Sequence, residues 1–589
     1  MTSIPTVSPL KKYQTKRYVS LDFARGFAIV AMLFLHIVQR TLDIDGLFAN
    51  INNIAIINLF ALILIPFFGG LAGFFLIVSA AANMVSIYKN LKRGKSVWGI
   101  VLKQIVGGFL LLIFGMLCEG LIGYQGLIGN FARSLDNPLA TEWTVMLWRW
   151  NFFETIHTIA WCLIINGIVQ GLLSLKGNWK NTRKMIITYI ILAIVVVALT
   201  RPMWDLVKLM VPEYPFGTFP NGHELYMPWI GYESFGEIIR APFLNVLAAP
   251  MEPLFPYLAV SFIGSIMGIV LSKPREEVTK KFPQTVFAIG LVMFVCGLIG
   301  ILLTLFHIMS VQNVDAAIEF YLIFPNHRGW SPDYSIADPS LTSIPPFAWL
   351  GQFLAVNGFS LILIIGLFRL IEFRGKSKNF AKKTIILRRF GTVAFTNYNN
   401  QWMYFVIFFL TSLLTKGTAY QKLSWAGTFL TILLTYLLYI LILFLWEKVN
   451  YIGSLEWFIR TFANNVVPVR RDSFDPSVKW WQRGQVDVEN TFYNPKWLTF
   501  ETTESDEEGS DESIEDSKFA LRFSLFSLCS ILFLPLTIIA LFVVLDSRKN
   551  EGKNKKNTSA LVLSIIGIAI LVLGLIISFI FPIGVLGIF

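Results

Sequence analysis

The sequence predicts an all-α fold: a polytopic membrane helix bundle of about ten core transmembrane helices followed by a C-terminal two-helix hairpin. Of 589 residues, 55% are hydrophobic and 15% are charged, whereas soluble domains carry about 25% charged residues. Many apolar runs reach the roughly 20 residues that a helix needs to cross a bilayer. These runs are too long for the strands of a membrane barrel, and apolar and polar residues do not alternate in them. Helices are then the remaining structure in which all backbone hydrogen bonds can form within lipid.

Ten apolar runs in the first 450 residues are the expected core spans. The second run contains Pro66 and the pair Gly69-Gly70, which leaves open whether it is one span or two pieces. No cleavable signal peptide is expected, because the first nineteen residues are polar and basic and the first run is long enough to remain as a span. The ten spans are expected near 20–39, 54–88, 98–121, 154–174, 183–200, 254–272, 285–306, 346–371, 390–415 and 425–447.

The distribution of Lys and Arg predicts a cytoplasmic N-terminus. Strict alternation puts the segments 11–17, 88–103, 175–184, 272–281 and 372–389 on the same side as the N-terminus, where they carry 24 basic residues. The five segments on the other side, which are longer in total, carry 9. Because basic loops stay in the cytoplasm, the protein is expected to be a multi-pass integral membrane protein with its N-terminus inside.

Four regions follow along the chain: a basic cytoplasmic N-terminus (1–19), the transmembrane core (20–450), a cytoplasmic segment with an acidic linker (451–518) and the C-terminal hairpin (519–589), with spans near 519–546 and 558–583. The linker has nine acidic residues between 501 and 516 and no Lys or Arg, which is typical of a solvated segment. One conflict remains, because alternation puts the loop 546–557 outside although five of its residues are basic.

Several function classes lack support. The net charge is +12, and the basic residues are distributed between the apolar runs. Membrane topology explains this distribution better than nucleic-acid binding does. The four cysteines show no metal or disulfide spacing, and no metal site is predicted. The motifs of phosphate-binding loops, zinc proteases and serine-hydrolase elbows are absent from the sequence.

The first span carries the sharpest candidate site. Arg25 and His36 are eleven residues apart, which is three helical turns plus about 20°, so both lie on one face about 16 Å apart along the axis. Arg binds phosphate through its planar donor fork, and His is the usual general base near neutral pH. The pair therefore suits a long phosphorylated cofactor. The alternative is that Arg25 pairs with Asp22 and reaches the headgroups while His36 sits at the far interface.

The segment Arg17–His36 resembles the first helix of the transmembrane acyltransferase superfamily, which includes acyltransferase-3 and heparan-α-glucosaminide N-acetyltransferase-like proteins. Arg25, Gly26 and His36 match its Arg–Gly and Arg–ten residues–His pattern after a Leu-Asp pair. Weaker resemblances, each on a short segment, extend the likeness over roughly residues 15–460. These segments are Phe67–Phe75, Thr155–Ala160, Glu252–Tyr257, Gly391–Tyr398 and Gly453–Trp457.

The resemblance implies an acyl-CoA co-substrate, most simply acetyl-CoA, that enters from the cytoplasm and extends its acyl-pantetheine arm through the bundle. By position, Arg25 would hold a CoA phosphate and His36 would be the catalytic base. Heparan-type members have further His and Asp residues after the first helix. This sequence has Asp43 and Asp45 there but no second His, which counts against heparan glucosamine as the acceptor.

Other polar residues are weaker candidates. Glu154 and His157 share a helix face. They are further catalytic candidates, which would orient His36 or contact the acceptor, or else they form a plain interfacial pair. The amides of Asn397, Asn399, Asn400 and Gln401 lie inside one span, where they would line a tunnel, with Asn397 and Asn400 as cofactor-binding candidates, or tie helices together. A substrate-loop role for His307 and His327, near Asp333 and Asp338, is a further possibility, whereas His223 is expected to be simply exposed.

The resulting hypothesis is a membrane O- or N-acyltransferase that moves an acyl group, most simply acetyl, from cytoplasmic acyl-CoA to a sugar or lipid-linked sugar outside. Its expected partners are membrane lipids and a sugar or glycolipid acceptor, with homo-oligomerisation left open. A transporter or flippase for polar lipids or sugars is the alternative, although the sequence shows no internal repeat of the kind common in transporters. A non-catalytic sensor or assembly protein is the third possibility.

Overall fold

The predicted all-α class is confirmed. The structure is a computed structural model and describes residues 17–44, 58, 71–92, 94–143, 145–149, 153–210, 244–249, 252–273, 277–279, 281–311, 348–466, 479–493, 516–529 and 537–580. These residues are mostly helical, and no β-strand is found among them. Ten of the helices described are long and apolar enough to cross a membrane.

The core contains twelve labelled helices. They are α1 (Val19–Thr41), α2 (Leu71–Lys92), α3 (Val97–Leu117), α4 (Thr155–Ser174), α5 (Thr182–Met210), α6 (Leu254–Leu271), α7 (Lys281–Val311), α8 (Ala348–Ile371), α9 (Ile385–Thr392), α10 (Ala394–Asn399), α11 (Met403–Lys416) and α12 (Trp425–Glu447). Short helices at Leu127–Ala132, Val145–Trp148 and Ser377–Lys383 connect them, and a π-helical turn at Cys118–Ile122 follows α3. Most of the first part of the predicted second span, 54–70, lies outside the described residues.

Hydrogen bonds show which helix ends share a face. At the beginning of α1, the Tyr18 hydroxyl donates to the carbonyl of Leu271 at the end of α6. The Ser20 amide donates to Glu372, directly after α8, at 2.9 Å. At the other end of α1, the Asp43 amide donates to the Leu423 carbonyl just before α12 at 3.0 Å. We call the face at which α1 begins the basic face, because the Lys- and Arg-rich segments lie there, and the other the opposite face.

Helix α1 lies inside the bundle and packs against α2, α8, α9 and α12. The peripheral helices α5 and α7 instead expose large apolar side chains, with Ile194 and Phe306 each 63% accessible. Contiguous apolar surface of this kind is rare on soluble monomers, and lipid is the solvent that suits it. The chain is an integral, multi-pass membrane protein.

The predicted span 390–415 is interrupted. Helix α9 ends at Thr392, Val393 has a non-helical backbone (φ −123°, ψ 51°), and a 3₁₀ turn at Asn400–Trp402 separates α10 from α11. Asn397 donates its side-chain amide to the Phe390 carbonyl at 3.0 Å. Such side-chain donors offer the backbone an alternative partner, which is why they allow a helix to break.

Helix α13 (Leu455–Val466) and residues 479–493 cover the basic face. Lys103, near the start of α3, donates to Asn464 at 2.6 Å, and Arg17 donates to Thr491 at 3.2 Å. The Trp457 indole also donates to the Trp481 carbonyl at 2.8 Å. The described parts of 451–493 therefore lie at the face where α1 begins.

The C-terminal region differs from the expected pair of spans. In place of one helix over 519–546 there are two, α14 (Asp516–Cys529) and α15 (Thr537–Glu551), before α16 (Lys555–Ile580). The Ser517 amide donates to Glu551 at 3.1 Å, so α14 and α15 pack antiparallel. Each is about 22 Å long at 1.5 Å per residue, which is short of a roughly 30 Å hydrocarbon core. The intervening sequence contains Pro535, and proline interrupts helical hydrogen bonding.

This arrangement resolves the charge conflict at residues 546–557. Phe519 of α14 stacks on Trp481 with ring centroids 5.6 Å apart, so α14 begins at the basic face. Since α15 returns antiparallel to α14, the loop before α16 comes back to the same face. The loop's five basic residues then follow the distribution of the other loops; they are Arg548, Lys549, Lys553, Lys555 and Lys556.

We expect a cysteine at position 553 to be reached from the same side as one in the basic segment before α9. In a background with the four native cysteines replaced by Ala, Lys553→Cys should react with an impermeant maleimide from the same side of sealed vesicles as Lys383→Cys. Lys416→Cys at the end of α11 is the opposite-face control. Labelling of position 553 together with position 416 would contradict the antiparallel arrangement.

Candidate active site

A cavity of about 80 Å³ lies along one face of α1. Ala28, Ile29, Met32 and His36 line it, and so does Tyr398 of α10. This is the helix face that also carries Arg25, one turn before Ala28. The cavity therefore follows this face of α1 for about two turns, from Ala28 to His36, and Arg25 is not among its described lining residues.

His36 is held by a side chain from the interrupted span. Its Nδ1 is hydrogen-bonded to Oε1 of Gln401, which is fully buried. Gln401 Nε2 donates to the Tyr398 carbonyl at 2.7 Å, and a carbonyl can only accept. The amide orientation is thereby fixed, so Oε1 is the acceptor and Nδ1 carries the imidazole proton. The neutral ring then has its lone pair on Nε2, the arrangement that a general base requires.

Close contact between two glycines brings the interrupted span against α1. A Cβ on Gly26 would lie 1.7 Å from the Leu387 carbonyl oxygen, and a Cβ on Gly391 would lie 2.7 Å from the Gly26 nitrogen. Real Cβ atoms do not approach backbone so closely. Gly26, which matches the family pattern, is therefore required here by backbone packing between α1 and α9.

Arginines gather around one carboxylate at the basic end of α1. Asp22 pairs with Arg25 at 2.7 Å and with Arg17 at 3.0 Å. Arg460 of α13 interacts electrostatically with Glu456, Arg25, Arg17 and Asp22. The Arg460 side chain is exposed, but many protein atoms surround it. Partial desolvation, together with repulsion from Arg25 and Arg17, lowers the pKa of Arg460.

Glu456 connects α13 to the interrupted span. Its carboxylate accepts hydrogen bonds from the Phe395 amide at 2.6 Å and from the Thr396 hydroxyl at 2.6 Å. In return, Thr396 Oγ1 accepts from the Leu455 amide at 2.9 Å. Burial raises the pKa of the Glu456 carboxyl, and these donors oppose that effect. The carboxylate satisfies amides at the start of α10, where a helix leaves its first N–H groups unpaired.

Carboxylates also gather at the end of the cavity near the opposite face. Glu154 accepts a hydrogen bond from the Tyr398 hydroxyl, and Arg149 lies 3.7 Å from Glu154 and 3.6 Å from Glu119 of the π-helical turn. Glu252 accepts from Thr155. Glu154 and Glu252 both line the cavity, and among the described residues that line it there is no Lys or Arg. This end of the cavity is therefore acidic, in contrast to the arginine-rich basic end.

The predicted Glu154–His157 pair exists, but as a helix cap. His157 Nδ1 accepts from the Glu154 amide at 3.2 Å, and the two residues form a capping box at the start of α4. His157 is not among the residues that line the cavity. The structure thus places Glu154 at the cavity beside Tyr398 and gives His157 a capping position.

The other candidates are dispersed. Asn397 bonds to the Phe390 carbonyl within its own span, and Asn400 accepts from Tyr439 through its backbone carbonyl at 2.7 Å. Neither lines the cavity. His307 is exposed on α7, while His223, His327, Asp333 and Asp338 lie outside the described residues. Within the described ranges, no cluster of three or more His, Cys, Asp or Glu side chains could hold a metal ion.

The geometry agrees with one family comparison. Residues 17–117 match the family model of the catalytic domain of heparan-alpha-glucosaminide N-acetyltransferase. The match covers α1, α2 and α3 and includes Arg25, Gly26 and His36. It supports a membrane enzyme of the acetyltransferase type, and it supports the heparan-type part of the resemblance; the acyltransferase-3 part stays a prediction. No match to a curated protein was found.

Sequence reasoning did not single out some residues that the structure brings to the site. Gln401 stood among four amides without a distinguishing signal, and Arg460 lies about 435 residues after its neighbour Arg25. Glu119 and Glu252 are buried carboxylates. Their positions inside or beside apolar runs were the available signal, since intramembrane ionisable groups are functional candidates.

We expect Gly26→Ala to lower the thermal unfolding temperature of the purified protein, because the new methyl group meets the Leu387 carbonyl. The matched control is Gly366→Ala in α8, where a Cβ meets nothing within 4 Å. Since Ala favours a helix over Gly by up to about 1 kcal/mol, the control should be neutral or slightly more stable. Equal stability of both variants would show that the α1–α9 contact is not tight.

Proposed function

We propose that the protein is an integral membrane acyltransferase that moves an acyl group, most simply acetyl, from cytoplasmic acyl-CoA to a hydroxyl or amine of a sugar or lipid-linked sugar on the outer face. The observation that carries the proposal is His36, which is hydrogen-bonded through Nδ1 to Gln401 and lines a cavity inside the bundle. The family match over the same helix supports acetyl transfer.

The donor would enter at the basic face. Coenzyme A carries a diphosphate and a 3′-phosphate. Arg17, Arg25 and Arg460 lie close to Asp22 at the basic end of α1, with Glu456 and Asp487 as further neighbouring carboxylates. Arginine forks bind phosphate oxygens in pairs. The basic face would then be cytoplasmic, which agrees with the positive-inside distribution of Lys and Arg.

The acceptor would enter from the opposite face, where Glu154, Glu252 and Tyr398 line the cavity. Their carboxylate and hydroxyl groups suit the hydroxyl and amino donors of a sugar. Among the described residues that line the cavity, the charged ones are the carboxylates Glu154 and Glu252, and Arg149 lies 3.7 Å from Glu154 and balances part of this charge. This favours a neutral or amino sugar over a phosphorylated group at the position of attack.

His36 would act as the general base. As the acceptor oxygen or nitrogen attacks the thioester carbonyl carbon, Nε2 takes the proton from that atom. The carbon–sulfur bond then breaks, the acyl group stays on the acceptor, and the CoA sulfur leaves and receives the proton back from the imidazolium. The thioester is already activated, so a base that contributes about 10²–10⁴-fold and correct positioning are sufficient aids.

We expect His36→Ala to bind acetyl-CoA with unchanged affinity and to lose about 10²–10⁴-fold in transfer rate, the contribution of a general base. Calorimetry measures binding, and transfer of radiolabelled acetyl to glucosamine and glucose glycosides measures the rate. His307→Ala on α7 is the control and should keep full activity. A His36→Ala protein with undiminished transfer would overturn the role of His36, and a wild-type protein that does not bind acetyl-CoA would favour the transporter or flippase alternative.

We expect Arg25→Ala and Arg460→Ala each to weaken acetyl-CoA binding by about 10- to 100-fold, because a charge-assisted hydrogen bond contributes about 1.5–3 kcal/mol. Arg369→Ala is the control, since Arg369 is an exposed basic residue in the last turn of α8 at the same face. Binding of 3′-dephospho-CoA shows which arginine contacts the 3′-phosphate. Substitution of that arginine should weaken the binding of 3′-dephospho-CoA less than it weakens the binding of CoA. Equal affinity of all three variants would contradict the donor site.

A further inference from the structure

We propose that Gln401 is the positioning residue of His36: it accepts the Nδ1 proton of the imidazole and thereby sets the tautomer and the orientation of the ring. The inference rests on the proposed function, in which His36 is the base, and extends it to a residue far outside the matched segment. It concerns an amide that neither the sequence pattern nor the family match distinguishes from its neighbours.

The first observation is the direction of the hydrogen bonds. Gln401 Nε2 donates to the Tyr398 carbonyl at 2.7 Å and points a second contact at the Met32 sulfur, 3.7 Å away. Both partners are acceptors, so the NH₂ group must face them and Oε1 must face His36. An amide that could flip by 180° would pair with either tautomer of the imidazole. In the orientation fixed here, Gln401 pairs only with a ring that carries a proton on Nδ1.

The second observation is rigidity. Gln401 lies in the 3₁₀ turn Asn400–Trp402, between α10 and α11. The preceding Asn400 carbonyl accepts from the Tyr439 hydroxyl of α12 at 2.7 Å. On the other side, the His36 ring stacks on Tyr124 with centroids 5.2 Å apart. Stacking on Tyr124 therefore holds the plane of the imidazole ring. The hydrogen bond to Gln401 restricts rotation of the ring within that plane.

A positioning role of this kind has a chemical consequence. The partner of one imidazole nitrogen sets which nitrogen carries the proton and how basic the other is. An apolar side chain at position 401 would remove the acceptor for Nδ1–H and make the imidazolium less favourable. A carboxylate would stabilise the imidazolium as an ion pair. The two substitutions should thus move the protonation of His36 in opposite directions.

The experiment measures His36 directly and needs no acceptor. Diethyl pyrocarbonate reacts with unprotonated imidazole, so the pH at which carbethoxylation of the His36 peptide is half-maximal, read by mass spectrometry, reports its protonation. Full-length protein in nanodiscs is compared as wild type, Gln401→Met and Gln401→Glu. The other titratable groups on the cavity wall are unchanged in every variant; they are Tyr124, Tyr398, Glu154 and Glu252.

We expect the midpoint to fall by roughly one pH unit in Gln401→Met, and to rise by about one to three units in Gln401→Glu, which is the usual effect of an opposite charge within about 4–6 Å. Gln352→Met, at a buried glutamine of α8, is the matched control and should leave the midpoint in place. A shift in the expected direction in every position-401 variant that keeps the wild-type unfolding temperature supports the proposal.

An unchanged His36 midpoint in a folded variant at position 401, or an equal shift in Gln352→Met, would overturn it. With an accepted sugar, Gln401→Met should lower kcat about 10- to 100-fold and leave the KM for acetyl-CoA unchanged, because the donor site is intact. Failure of the proposed function appears separately, as a wild-type protein that does not bind acetyl-CoA, and the carbethoxylation result does not depend on it.

Discussion

The contact between Gly26 and Gly391 is the constraint on which the candidate site depends. Two helices can approach this closely only where neither backbone carries a side chain. Here that condition brings the interrupted span α9–α11 against α1, with Arg25 directly beside the contact. Three turns further along α1, the same pair of segments meets again, where Gln401 reaches His36. A single backbone contact thus sets the register between the helix that carries the base and the segment that orients it.

Buried charge explains the shape of the rest of the cavity. Glu119 and Glu154 both lie beside Arg149. The Tyr398 hydroxyl donates a hydrogen bond to the other carboxylate oxygen of Glu154. Charged groups removed from water are costly unless they are paired, and Arg149 between the two carboxylates offsets part of that cost. Glu119 lies on a π-helical turn, a local departure from α geometry that often accompanies functional sites.

The sequence predicted those features that depend on local spacing. Hydropathy identified the long helices because each must cover the bilayer on its own, and the eleven-residue spacing of Arg25 and His36 placed both on one face of α1. The i,i+3 spacing of Glu154 and His157 was also correct, but it could not distinguish a helix cap from an active-site pair. Apolar length alone made 519–546 look like one span, since it does not reveal that α14 and α15 fold back on each other.

Features that depend on tertiary contact could not be predicted in this way. The choice of Gln401 among four neighbouring amides requires knowledge of which one faces His36, and the proximity of Arg460 to Arg25 joins residues from opposite ends of the core sequence. The interruption of α9–α11 results from hydrogen bonds such as that from Asn397 to Phe390, which compete with a helix that composition alone would favour.

The carboxylate of Glu456 has a thermodynamic consequence for the two ends of the cavity. Arg460 lies one turn after Glu456 on α13, and Gln401 follows the α10 residues to which Glu456 is bonded. An anion bound beside Arg460 would therefore lie one helical turn from the carboxylate that holds the start of α10. If its binding changed the proton affinity of the imidazole, linkage would require protonation of the imidazole to change the affinity for the anion by the same factor.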